Sequence, residues 1–291
     1  MKSVQVDFER IIKVDTHLHA ASCATARHLL AFMKHKITHH SQDYVIVQNG
    51  SPVKLGEFFN QFGVPLENLT LDTLDMKANN TFNRFDKFKN TYNPLGRSEL
   101  RQIFLKKDGY LKGRYFAELM KQVLSKYEEA KYVKVEYRIS IYGRTKNDWN
   151  DFTDWLIDNG VSFQCNRWVI QVPRIYHIFK ESNDVSNFQD FLDNIFQPLF
   201  EVTRDPSSNP RLHSILDQIS GFDSVDDEHT SPANEFNFGT APQDWDFAQN
   251  PPYNYYIYYM WANISSLNQF REMKGLSTFE FRPHCGVAGS R

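Results

Sequence analysis

Ile11-Ile12-Lys13-Val14-Asp15-Thr16-His17-Leu18-His19 opens on β-branched apolar residues and closes on two histidines. Ile11 to His17 reads as a strand, because β-branched side chains fit a pleated, half-buried surface. Alternate residues of a strand face one side. Asp15, His17 and His19 therefore point one way, and Val14, Thr16 and Leu18 the other. Two imidazoles on one face at this spacing can grip a single metal ion. They can equally be two hydrogen-bonded surface histidines. Their place at the end of an apolar strand adds weight to ligation, and both readings stay open.

The same short apolar pattern recurs along the chain. Tyr132 to Ile141, Arg167 to Val172, Gly221 to Val225 and Thr278 to Arg282 read as further strands. Helical spacing lies between them. Phe188, Phe191, Leu192, Ile195, Phe196, Leu199 and Phe200 place one apolar stripe on a helix, which Pro198 should kink or end early. Trp149, Phe152 and Leu156 mark a second helix, closed by Asn159-Gly160. Tyr255 to Met273 and Arg114 to Tyr127 give two more. Strands alternating with helices imply βαβ units and a parallel α/β sheet. The Pro-, Ser- and Asn-rich run from Arg204 to Arg211, and the polar stretch from Asp226 to Asn250, read as loops. Loops after the strands of an α/β fold are where sites are built.

Composition removes several function classes. Thirty-three basic residues stand against 35 acids in 291 residues, a net charge of -2, so no general basic field invites nucleic acid. No apolar run approaches the ~18 residues of a membrane span. The first residues, MKSVQVDFER, lack an apolar signal core. Cys23, Cys165 and Cys285 are odd in number and widely spaced, which argues for a reducing compartment and against a disulfide framework. Cytosol is the expected location. The Asn68, Asn79 and Asn263 glycosylation patterns are read as chance matches. Aromatics make up 15% of the chain, so large rings must fill much of the core.

Three further groups could carry chemistry. His284, in Phe279-Glu280-Phe281-Arg282-Pro283-His284-Cys285-Gly286, lies just past an apolar strand, where barrel sites collect. A lone histidine there is more often structural, and its value comes from pairing with His17 and His19. His35, His39 and His40 read as a solvated helix face, since no acid accompanies them at the H-E-x-x-H spacing. The run Thr81 to Tyr92 interleaves basic residues with aromatics. Its rings can stack on a purine and its cations can neutralise a phosphate, or its Phe residues can anchor a loop in the core. Arg138 and Arg144 are further cation candidates of the same ambiguity. The H-x-E…P-C-x-x-C signature of the cytidine-type deaminases is absent.

From about Lys13 to Gly289 the chain resembles the AMP deaminase family. The segments KVDTHLHAASC, LDTLDMKANNTFNRFDKF, EYRISIYGR, DNIFQPLFEVT, GFDSVDDE and FRPHCG carry the resemblance, in order. It implies a (β/α)8 barrel with a metal at the C-terminal mouth. It divides the chain into a lead-in, residues 1–12, and a partial catalytic barrel, residues 13–291, of roughly five strand-helix units. It implies Zn2+ held by His17, His19 and His284, with His19 also touching substrate. Lys87, Phe88, Lys89, Asn90, Thr91 and Tyr92 match the segment that contacts the nucleotide. The implied reaction is attack of zinc-activated water on C6 of AMP, giving IMP and ammonia in purine nucleotide metabolism. Two departures temper this. The family glutamate three residues past the third histidine is Val287 here, which cannot transfer a proton. The family's later strands, with a water-activating histidine and an Asp-Asp pair, have no counterpart. Turnover by this chain alone is therefore expected to be very slow or absent. The competing reading is an inactive truncated member that partners a full-length deaminase. Expected partners are AMP and a second family chain, either another copy or a full-length member, with neither nucleic acid nor membrane.

Overall fold

Strand β1 (Lys13–His19) starts two residues later than Ile11 and keeps both histidines. A computed structural model describes residues 11–61, 69–74, 93–226 and 239–284 of the chain. It divides into two compact units, Met1–Tyr137 with Trp155–Asn166, and Arg138–Asp154 with Arg167–Arg291.

In the first unit, β1 is followed by helix α1 (Ala26–His39), which starts where the Thr25 hydroxyl accepts the His28 N–H at 3.3 Å. Leu29, Phe32 and Met33 bury one face of α1. A hairpin of β2 (Tyr44–Gln48) and β3 (Ser51–Lys54) turns at Asn49-Gly50, both at positive φ. Helices α2 (Leu55–Asn60), α3 (Ser98–Phe104) and α4 (Arg114–Ala130) follow. The core is aromatic, as the composition demanded. Phe104 stacks on Tyr115 at 5.6 Å, and Phe116 on Trp155 at 5.4 Å. Lys36 is buried with its ammonium 2.5 Å from Glu118 and 4.5 Å from the Tyr115 ring centre, so ion pair and ring face offset its desolvation.

Strand β4 (Val133–Ser140) and helix α5 (Asp148–Asp158) each contain the point where the division falls. The second unit continues with β5 (Asn166–Pro173), α6 (Tyr176–Glu181), α7 (Phe188–Arg204), α8 (Pro210–Ile215), β6 (Ile219–Val225), α9 (Tyr253–Met273) and β7 (Glu280–Phe281). All five expected strands are present and hydrogen-bonded in the order β1-β4-β5-β6-β7, beside the separate hairpin. β5, β6 and β7 pair in parallel, with Ile170 opposite Phe222 and Phe222 opposite Phe281. The architecture is mixed α/β with a parallel sheet. The described strands form an open order, with β1 and β7 at its ends, and no closed barrel.

Two expected helix boundaries, an early end at Pro198 and a loop from Arg204 to Arg211, change for identifiable reasons. Helix α7 does not stop at Pro198 but runs to Arg204. The proline costs the helix about 3 kcal/mol. Leu199, Val202 and Thr203 beyond it are buried, and each large apolar side chain returns about 1.5–3 kcal/mol. The run Arg204 to Arg211 is not simply loop. Asp205 accepts from the Ser207 N–H at 2.9 Å to start a short 3-10 turn, and Asn209 accepts from Leu212 N–H at 3.0 Å to start α8, with Pro210 in its first turn. Pro and Asn here are helix-start residues, not breakers.

Gly221 makes the closest strand contact. A β-carbon there would meet the Glu280 carbonyl oxygen at 2.4 Å. Gly221→Ala must push β7 off β6, and should cost about 1–3 kcal/mol of unfolding free energy, as overpacking does. Urea unfolding checks this, and an unchanged midpoint would show that the strand gap yields freely.

Candidate functional site

β1 carries two of the candidate ligands. Lys13 Nζ lies 2.6 Å from Asp15 Oδ2, at the start of the strand. The rings of His17 and His19, two residues on, have centroids 5.6 Å apart and planes inclined at 58°. That is the same-face arrangement the alternation required. His17 is exposed and His19 half-buried. Cys23, which follows, is sealed from solvent and burial pushes its thiol up to about 12, so it stays protonated near neutrality.

The second unit holds His284. Its main-chain N–H donates to Ser224 O at 2.9 Å, continuing the β6–β7 ladder past Phe281. Tyr253 donates its hydroxyl to the His284 carbonyl at 2.7 Å. The ring Nδ1 lies 2.8 Å from Asp223 Oδ1. Asp223 is completely buried, and Arg138, 6% exposed, brings Nη1 to 2.6 Å from its other oxygen. That contact is off the line of a hydrogen bond, so it is an ion pair by proximity. Arg138 Nη1 also reaches Arg282 O at 3.4 Å. The result is a relay from buried cation to buried anion to imidazole. A carboxylate on one ring nitrogen fixes the tautomer and leaves the other as a donor atom.

Asp223 is the residue the sequence reading missed, although it lies in GFDSVDDE. An acid between fully buried Phe222 and Ser224 on a core strand was the available signal, because such a charge must be paired. The two arginine candidates are spent. Arg138 serves Asp223, and Arg144 grips Asp184 through two nitrogens at 2.8 and 3.2 Å, which holds the Asp184 carboxyl below the usual range. The Ser182 hydroxyl contributes most to that lowering. His35 and His39 stack at 4.4 Å, both exposed, as a solvated face would. Lys87, Phe88, Lys89, Asn90, Thr91, Tyr92 and Val287 lie outside the described residues. Among those residues, no helix is long and apolar enough to cross a membrane.

Comparison with known proteins places these features in context. The family model for AMP deaminase matches residues 1–291. The chain is 47% identical over 284 residues to a Saccharomyces cerevisiae protein named AMP deaminase, covering 97% of this chain and 35% of that one. A Dictyostelium discoideum AMP deaminase shows 47% identity over 97% of this chain and 36% of its own length. Human AMP deaminase 3 is 46% identical over 98% of this chain and 37% of its own. The chain thus spans about a third of the length of these curated relatives.

Proposed function

The chain belongs to the AMP deaminase family, and on that premise we propose that it serves hydrolytic deamination of AMP to IMP and ammonia, with Zn2+ held by His17, His19 and His284. The Asp223–His284 contact carries the reading. Carboxylate–histidine pairs of this kind orient metal-ligating imidazoles and raise their basicity. Three neutral imidazoles are also a donor set that suits zinc. When bound, the ion supplies a Lewis acid that makes water a competent nucleophile near neutral pH.

The chain's own residues supply binding and orientation. Asp223 accepts the Nδ1 proton of His284, which turns Nε2 toward the ligand position. Arg138 balances the Asp223 charge. His19 touches the substrate as well as the metal. Lys87 and Lys89 neutralise the phosphate, the Phe88 and Tyr92 rings pack on the purine, and Asn90 and Thr91 contact the nucleotide. The exocyclic nitrogen at C6 leaves as ammonia and the ring gains oxygen from water. A (β/α)8 barrel, a cytosolic setting and pairing with a further family chain belong to the same proposal.

The phosphate contact separates AMP from adenosine. Lys87→Ala should weaken calorimetric AMP binding about 10–100-fold, the worth of a charge-assisted hydrogen bond. Adenosine, which has no phosphate, should bind the variant as it binds the parent. Equal losses for both ligands would show that Lys87 supports structure instead.

A further inference from the structure

A cavity of about 590 Å³ opens in the first unit where β4 and β5 begin. Tyr127 and Glu128 near the end of α4, Lys131 and Lys134 around the start of β4, and Phe163 and Cys165 before β5 line it. Its volume suits a small organic molecule. No residue singled out for AMP or zinc lines it.

Lys36, Arg114, Arg138, Arg144, Arg174 and Arg211 are all committed to acids. Lys131 and Lys134 form no ion pair among the described residues. Glu128, also in the wall, accepts the Gln164 N–H at 2.7 Å and forms no ion pair with either lysine among the described residues, so two cations face one acid. Lys134 stands close enough to Cys165 to act on its thiol electrostatically, opposing Glu128. The half-buried rings of Tyr127 and Phe163 also line it, with Ser162 and Gln164.

Lys131 adds a second observation. It terminates α4 at φ 61°, a conformation that favours glycine and costs a side chain roughly 1–2 kcal/mol. Its N–H donates to Glu128 O at 3.1 Å, so the turn is a helix stop that glycine would serve better. The lysine is held there against backbone preference, in the same cavity wall as Lys134.

We propose that this cavity binds a small organic anion bearing a planar ring, of the aryl phosphomonoester class. The two ammonium groups would hold the phosphate and the two rings would flank the aryl group.

Titration calorimetry of the whole chain with phenyl phosphate and with inorganic phosphate tests this. Phenyl phosphate should bind the parent saturably, and inorganic phosphate at least several-fold more weakly. Lys134→Gln should lower phenyl phosphate affinity by about tenfold or more. Lys131→Gly should lower it comparably while raising Tm by about 1–2 °C, because it relieves the helix stop. That combination separates lost binding from lost folding. Equal binding by parent and both variants would overturn the proposal, as would absence of saturation by 10 mM, roughly the weakest affinity such contacts would give. Equal affinity for the two phosphates would overturn the aryl part of the ligand class.

Discussion

Asp223→Asn is expected to lower the unfolding free energy by about 3–5 kcal/mol, because it leaves the buried Arg138 guanidinium without its anion. The asparagine is nearly isosteric, so no cavity accounts for the loss. Its carbonyl can still accept from His284, but its amide would face Arg138 donor to donor. Arg138→Met should cost a comparable amount by stranding Asp223. The double variant should cost less than the sum of the two, since neither charge is then left alone. Zn2+ affinity should fall roughly 10–100-fold in Asp223→Asn, the usual effect of losing a partner behind a ligating histidine. Urea unfolding and competitive metal titration read the two effects separately. A change under about 0.5 kcal/mol, the size of an ordinary surface substitution, would show that the pair is not a structural centre.

Replacing a ligand itself should do more than replacing its support. His17→Ala and His284→Ala are each expected to weaken Zn2+ by more than about 100-fold, above the range seen for outer partners. His35→Ala, on the exposed face of α1, should leave the affinity unchanged. The His17 variant should fold normally, because His17 is exposed. Full zinc retention by either ligand variant would remove that histidine from the proposed set.

Much of this is legible in the sequence. β1 and its histidine pair follow from β-branched residues and a period of two. All five sheet strands were visible as short apolar runs, and α7 as a stripe whose Phe188, Phe191, Leu192, Ile195, Phe196 and Leu199 are indeed buried. The β2–β3 hairpin was not read, although Asn49-Gly50 between Gln48 and Ser51 is a strong turn signal. Pro198 and Pro210 misled because the same residue breaks a helix interior and opens a helix start. The outcome depended on burial downstream and on capping by Asn209, which are tertiary and local facts that residue type alone does not carry. Asp223 was missed because β6 is buried on both faces, so alternation could not mark it. Its partners Arg138 and His284 lie 85 and 61 positions away, beyond any local pattern.

Zinc K-edge X-ray absorption on the zinc-loaded chain tests the central claim most directly. The account predicts a first shell containing three imidazole nitrogens at about 2.0–2.1 Å, with multiple-scattering features of the rings. In His284→Ala, at zinc concentrations that refill the site, the imidazole count should drop to two. A shell of oxygen donors without imidazole, or an imidazole count unchanged by His284→Ala, would contradict the account.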